Sequence, residues 1–238
     1  MPLPTIEVPK YKIKIPSTGK MITYRPFLVK EEKVLLQALE TGEGEEQLLE
    51  AIFQLLDNCI ETKNINPREL TNFDLEYLFL QLRAKSVGEM AELSFICTNE
   101  ECKKPFEYEC NISELKVKRN KEHTNKIEFN KELGVIMKYP SLQSAVKLTS
   151  SKENVDELFT LIAGCIESIY TKEEVFDDKD HSLEEFIDFV EQLSPEYFKK
   201  IMNFFETMPS MENELNPICP FCKEENKVTV RGIEDFFV

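Results

Sequence analysis

Two short segments decide the fold: Cys97-Thr-Asn-Glu-Glu-Cys102 and Cys219-Pro-Phe-Cys222. A structural zinc ion is held by four ligands in a tetrahedron, and two thiolates separated by about two to four residues on a tight turn can bind the same ion. Each pair adjoins a segment in which apolar and polar residues alternate as in a strand. The pattern is typical of a zinc ribbon and predicts one structural zinc ion per chain, bound by Cys97, Cys102, Cys219 and Cys222.

The long stretch between the two pairs, residues 103–218, does not argue against a shared ion, because the entropic cost of closing a loop rises only slowly with its length. Two other interpretations of the pairs are ordinary buried thiols and a redox site. A thioredoxin-like pair opens a helix after a central strand, whereas Cys219 and Cys222 follow Asn-Pro and precede a polar turn and a strand. A metal site is therefore the favoured interpretation.

The other cysteines and the histidines are assigned by their neighbours. Cys110 lies on the apolar face of a predicted strand, and Cys59 and Cys165 lie among the apolar residues of predicted helices, so all three are expected in the core. His123 and His181 stand in charged segments and are expected to be solvated. Cys110 or a histidine in place of one of the four predicted ligands stays an open alternative.

The bulk composition is that of an acidic globular protein. The 238 residues carry 44 acidic and 29 basic side chains, a net charge of −15, which opposes general attraction to nucleic acid or to an anionic membrane. The apolar runs are too short to cross a bilayer, and the N-terminus lacks the charged and then apolar pattern of a signal peptide. We expect a cytosolic protein.

Helical and strand-like patterns alternate along the chain and predict an α+β fold of five segments. Residues 1–30 form an N-terminal β-hairpin and residues 31–91 a helical unit. Residues 92–140 hold strands with the first half of the zinc ribbon, and residues 141–208 form a second helical unit. Residues 209–238 hold the second half of the ribbon and a C-terminal tail. We expect the five segments to make one compact domain.

Within these segments, periodicity and turn signals predict individual elements. A helix is expected to begin after Thr71, because Asp74 in its first turn completes a good helix start. The expected strands cover residues 92–97, 106–112, 126–130, 134–139 and 226–232. The expected helices cover residues 141–148, 154–170, 182–193 and 195–206.

Catalytic residues are not apparent in the sequence. The two histidines have no nucleophile at a recognisable spacing, and a four-thiolate zinc site has no open position for an activated water. A non-enzymatic binding role is therefore expected. Apolar stripes on the last two predicted helices are a candidate partner-binding surface, although the alternative is that both stripes are core. The stripe residues are Leu183, Phe186, Ile187, Val190, Phe198, Met202 and Phe205.

The two ends of the chain resemble a known family. The opening Met1-Pro-Leu-Pro-Thr-Ile-Glu-Val-Pro-Lys-Tyr11, followed by Ile15-Pro-Ser-Thr-Gly-Lys20 and by Tyr24-Arg-Pro-Phe-Leu-Val-Lys-Glu-Glu-Lys33, resembles the N-terminus of the baseplate hub assembly proteins of T4-type contractile-tailed bacteriophages. Cys219-Pro-Phe-Cys222 and Gly232-Ile-Glu-Asp-Phe-Phe237 are similar to the C-terminal signature of that family. The resemblance extends over the whole chain.

This resemblance implies a viral assembly factor that works in the cytoplasm of an infected bacterium and binds baseplate hub proteins, and that is also a candidate component of the virion baseplate. The leading hypothesis is a chaperone that holds hub subunits during tail assembly and then departs. A permanent hub subunit is the alternative within the family. A zinc-ribbon adaptor in transcription or replication is the alternative from another class, and the net charge of −15 argues against it.

Overall fold

The computed structural model describes residues 7–41, 45–144 and 155–230, and in them α-helices alternate with small antiparallel sheets. The predicted α+β class and the N-terminal hairpin are confirmed. Parts of three sequence features lie outside the described residues. They are the start of the N-terminal motif (residues 1–6), the end of the predicted helix 141–148, and the C-terminal residues 231–238. No helix among the described residues is long and apolar enough to cross a membrane.

The chain opens with a β-hairpin followed by three helices. Strands β1 (Tyr11–Lys14) and β2 (Met21–Tyr24) pair antiparallel, with Ile13 opposite Ile22. The helices are α1 (Val29–Thr41), α2 (Glu45–Cys59) and α3 (Asn72–Ser86). As predicted, Thr71 caps α3, because its side chain accepts a hydrogen bond from the backbone N–H of Asp74.

Two buried carboxylates anchor the hairpin segment to this helical layer. Asp74, which is 2% exposed, accepts hydrogen bonds from the backbone N–H of Ser17 at 2.8 Å and from the Ser17 hydroxyl. Glu31 accepts from Arg25 at 2.9 Å and from the Leu28 N–H at 2.8 Å. Burial alone would raise the pKa of Glu31, but these hydrogen bonds lower it below its usual value. The polar residues of the N-terminal motifs therefore have a structural role.

Two further pairs of antiparallel strands hold the cysteine loops. Strands β3 (Met90–Ile96) and β4 (Pro105–Asn111) form the predicted hairpin around the first cysteine pair. Near the C-terminus β9 (Asn213–Leu215) pairs with β10 (Val228–Val230), and the second cysteine pair lies between them. Strand β9 is a short element that the sequence pattern does not predict.

The chain divides into two compact units. Unit 1 contains the described residues up to Lys118 and those from Ser210 onward, and unit 2 contains residues from Arg119 to Pro209. Lys118 and Ser210 exchange two backbone hydrogen bonds, of 2.9 and 3.2 Å, so unit 2 is an insertion whose two ends leave unit 1 side by side. That all five sequence segments form one domain stays a prediction.

In the described residues of unit 2, outside the gap at 145–154, helices pack on a four-stranded antiparallel sheet. The sheet order is β5 (Lys126–Glu128), β6 (Gly134–Met137), β7 (Ile166–Tyr170) and β8 (Val175–Asp177). The helices are α4 (Val155–Gly164), α5 (Leu183–Glu191) and α6 (Pro195–Thr207). Side chains from both layers form its buried core, among them Val135, Met137, Ile162, Ile166, Phe186, Val190, Ile201 and Phe204.

The predicted helix over residues 154–170 is wrong in its second half. Helix α4 ends at Gly164, and residues 166–170 form strand β7 in the middle of the sheet. Ile166 and Ile169 are buried, and the strand pairs with β6 on one side and β8 on the other. The apolar run continues without a break across the junction, so only the glycine marks the change from helix to strand.

Gly134 of β6 lies against the Ile127 backbone of β5 and the Tyr170 side chain of β7, and we expect Gly134→Ala to destabilise unit 2 by about 1–3 kcal/mol. An added Cβ would lie 2.5 Å from the carbonyl oxygen of Ile127 and would collide with the Tyr170 hydroxyl. Urea unfolding measures the loss. Gly164→Ala is the matched control, because a Cβ there has nothing within 4 Å. Equal stability of the two variants would contradict the close approach.

Candidate metal centre

Two loops with the same backbone design carry the four cysteines. In the first loop the N–H of Cys97 donates to the carbonyl oxygen of Lys104 at 3.1 Å. In the second loop the N–H of Cys219 donates to the carbonyl oxygen of Glu224 at 2.9 Å. Each hydrogen bond thus joins the first cysteine of a pair to the residue two places beyond the second. The loops therefore correspond although their cysteine spacings differ.

A positive φ closes each loop at the corresponding position. The residue directly after the second cysteine is Lys103 in one loop, with φ 44°, and Lys223 in the other, with φ 63°. Non-glycine residues seldom adopt this left-handed conformation, which costs about 1–3 kcal/mol and persists only where the surroundings hold it. The turn in the backbone directs both sulfur atoms of a loop towards the same point.

The four sulfur atoms lie close enough together to share one metal ion. All four Sγ atoms lie within 4.8 Å of one another; Cys97 and Cys222 are 3.5 Å apart, and Cys102 and Cys219 are 3.9 Å apart. Bonds of about 2.3 Å from zinc to sulfur place tetrahedral thiolates about 3.8 Å from each other. The predicted meeting of the two distant pairs is confirmed, and the cluster could hold a metal ion.

The cluster is buried on one side and open on the other. Cys97 and Cys219 are buried against Phe106, Cys102 is partly buried, and Cys222 is exposed. Loss of hydration by itself raises the pKa of Cys219, but N–H groups of Cys222 and Phe221 donate to its sulfur and lower its pKa to about 7. Cys219 is therefore the thiol of the cluster whose deprotonation is favoured.

A further buried residue, Asn226, joins the two loops without using a thiol. It is 0% exposed, and its side-chain oxygen accepts from the N–H of Thr98 at 2.7 Å and from the Thr98 hydroxyl at 2.9 Å. Sequence reasoning did not find Asn226, because it stands between charged residues at the start of the predicted strand 226–232, and no local signal marks its side chain as buried.

A family model for the T4 bacteriophage base plate protein matches residues 8–238 of the chain. The chain belongs to this baseplate family. The resemblance read from the two ends of the sequence is thereby confirmed over nearly the whole length. No curated protein and no solved structure matches the chain. Membership in the family implies that the protein acts in the phage virion or in the infected cell.

The other three cysteines of this baseplate protein lie outside the thiol cluster. Cys59, Cys110 and Cys165 are all buried, as expected from their apolar neighbours. Burial raises the pKa of Cys59 and that of Cys165 to about 11, which keeps both thiols protonated and unreactive. Among the described residues, the group that could hold a metal ion consists of the four predicted cysteines alone.

His123 is partly buried, so it is packed more closely than its charged sequence neighbours indicate. Its Nδ1 lies 3.0 Å from the Thr207 hydroxyl and its Nε2 lies 3.0 Å from the Tyr139 hydroxyl. The ring also stacks on Tyr139 and packs against Phe204, and this burial lowers the pKa of the imidazole. His123 is therefore a packed, hydrogen-bonded part of unit 2. His181 is partly exposed beside Glu185.

The predicted partner stripe on α5 and α6 lies mostly against the core of unit 2. Phe186 and Val190 are 3% and 1% exposed, so neither side chain can contact a partner unless the unit opens. Leu183 is 46% exposed. The remaining members are partly buried and pack against the same core: Ile187, Phe198, Met202 and Phe205. For Phe186 and Val190 the alternative reading, a core role, is the one that fits.

Proposed function

We propose that this baseplate protein is a non-enzymatic assembly chaperone for the baseplate hub, and that one structural zinc ion joins its segments 97–102 and 219–222. The family match over residues 8–238 supports action in the baseplate. The convergence of four thiols from the two chain segments of unit 1 is the observation that carries the metal assignment. Other phage baseplate proteins are the implied partners, with hub subunits as the specific choice.

The donor set favours zinc in a structural role. Four clustered thiolates are soft ligands, which suit zinc and exclude calcium or magnesium as the preferred ion. Cys97, Cys102, Cys219 and Cys222 would fill the four positions and leave none for a reactive water. When bound, the ion supplies folding free energy by holding the second loop against the β3–β4 hairpin.

His123 of unit 2 has a structural role, and the net charge of the chain suits a binding function. Both ring nitrogens of His123 lie at hydrogen-bond distance from the hydroxyls of Thr207 and Tyr139, and burial lowers the pKa of the imidazole. The ring thus serves to link a loop to helix α6. The net charge of −15 suits a transient binder, because it speeds encounter with basic partner surfaces and keeps copies of the chain apart.

A permanent hub subunit is the second candidate, and exposed apolar residues beside the cysteine loops favour it. Ile96, Ile218 and Phe221 adjoin the metal ligands in sequence, and they are 69%, 63% and 56% exposed. Large apolar side chains of this kind are normally covered in a stable complex. A transient chaperone would expose the same surface before it binds its partner and again after the partner is released.

Quantitative mass spectrometry of infected cells and of purified virions separates the two candidates. A chaperone should co-purify with hub proteins from infected cells and be scarce in virions, at well under one copy per baseplate. Stoichiometric amounts in virions would overturn the chaperone assignment in favour of the permanent subunit. A gel-shift assay at low salt tests the nucleic-acid alternative, for which tight binding to bare DNA would be required.

A further inference from the structure

We infer that Asn226 is a positioning residue of the metal centre: its side chain holds the two cysteine loops together through hydrogen bonds that do not involve the metal. The four thiols then lie at binding distance before an ion arrives. This inference rests on the proposed metal function, and it assigns part of the metal affinity to a residue that contributes no ligand atom.

The oxygen end of the Asn226 side chain holds the first loop. Oδ1 accepts from both the backbone N–H and the hydroxyl of Thr98, the residue that directly follows Cys97. Because a backbone N–H can only donate, the orientation of the amide is fixed with its oxygen towards Thr98. The position of the Cys97 backbone is thereby tied to a residue 128 positions later in the chain.

The nitrogen end of the same side chain holds the second loop. Nδ2 donates to the carbonyl oxygens of Pro217 at 3.3 Å and Glu224 at 3.1 Å. The Glu224 carbonyl is the one that also accepts from the N–H of Cys219, and the backbone N–H of Asn226 donates to Pro217 at 2.9 Å. The amide therefore bonds to backbone groups that flank a ligand cysteine on each side of the cluster.

Full burial makes this arrangement cooperative. Both lone pairs of Oδ1 and both hydrogens of Nδ2 are used, and no water could replace a lost partner at a site that is 0% exposed. An unpaired buried amide is strongly disfavoured, so the side chain fits only when both loops are in place. The juxtaposition of the loops is thus favoured in the folded chain independently of metal.

Without this link, metal binding would have to order the two loops as well as coordinate them. Residues that support metal ligands through hydrogen bonds typically change metal affinity by about 10- to 100-fold when they are replaced. We expect Asn226→Ala to raise the zinc dissociation constant of the folded protein by that factor. Once cobalt is bound as a probe, the variant should still show the absorption bands of four thiolates, because the ligands themselves are intact.

The experiment is a competition titration of zinc, and of cobalt as a spectroscopic probe, against a chromophoric chelator with the full-length protein. Asn213→Ala is the matched control, because the Asn213 side chain makes a local hydrogen bond to Met211 in the same ribbon. The control should keep the wild-type dissociation constant. A purely structural role for Asn226 would lower stability and leave the dissociation constant unchanged, and that result overturns the inference.

Thr98→Val keeps the test decisive if Asn226→Ala does not fold. Thr98 is exposed, and valine removes only its hydroxyl, so the variant should fold and bind zinc about 2- to 10-fold more weakly. An unchanged affinity overturns the inference. Wild-type protein that shows no four-thiolate cobalt spectrum overturns the metal function and this inference together, whereas a four-thiolate spectrum with equal affinity in every variant overturns only the inference.

Discussion

Replacing Cys219 and Cys222 together by serine should abolish metal binding and lower the free energy of unfolding of unit 1 by several kcal/mol. Structural zinc contributes about 10–16 kcal/mol of apparent binding free energy in small zinc domains, and unit 1 has a core of its own that offsets part of the loss. The two residues supply half of the thiol cluster, including the thiol whose pKa is lowered to about 7. Metal analysis and thermal unfolding measure both effects.

Cys110→Ala is the control for this pair of substitutions. Cys110 is buried on β4, the strand that follows the first cysteine loop, and it lies outside the thiol cluster. The variant should retain its metal and lose only about 1 kcal/mol from the small cavity. A double serine variant as stable as the wild type would show that the cluster has no metal-dependent role in folding.

The second large effect is expected in unit 2, where Phe186→Ala should cost about 3–5 kcal/mol of unfolding free energy. Phe186 is 3% exposed and belongs to the same core as Val190, Ile201 and Phe204. Removing its ring leaves a cavity between α5 and the rest of that core. Chemical denaturation followed by circular dichroism measures the loss.

Leu183→Ala on the same helix provides the comparison. Leu183 is 46% exposed, so its replacement should change stability by no more than about 0.5 kcal/mol. If Phe186→Ala were fully stable and instead abolished capture of a hub protein, Phe186 would be a partner contact and the core assignment would be wrong. Equal stability of both variants with unchanged capture would also contradict the core assignment.

The sequence predicts the thiol cluster well, because tetrahedral coordination requires a particular spacing of thiols on tight turns. Cys97 and Cys102 identify one loop, and Cys219 and Cys222 identify the other. Each loop supplies only two of the four ligands that a structural zinc ion needs, so each pair indicates that the other completes the site. The start of α3 is predicted for a similar reason, since Thr71 and Asp74 act within one turn of helix. Local chemistry of this kind can be read from neighbouring residues.

The features that were missed depend on partners far away in the chain. Asn226 has charged neighbours at the start of a predicted strand, and only its contact with Thr98, 128 residues earlier, makes it a buried link. His123 likewise lies in a charged segment, but Thr207 and Phe204 of α6 hold its ring. The sequence pattern over β7 predicts a helix, because an apolar run of this length is compatible with a helix or with a buried strand. Pairing with β6 and β8 makes it a strand.

The central claim is that one metal ion joins the two cysteine loops, and native mass spectrometry combined with elemental analysis of the purified full-length protein tests it most directly. We predict close to one zinc ion per chain, released together with cooperative loss of structure in unit 1 when a strong chelator is added. Fully folded protein that contains no metal, and whose unfolding is unchanged by added zinc or chelator, would contradict the claim.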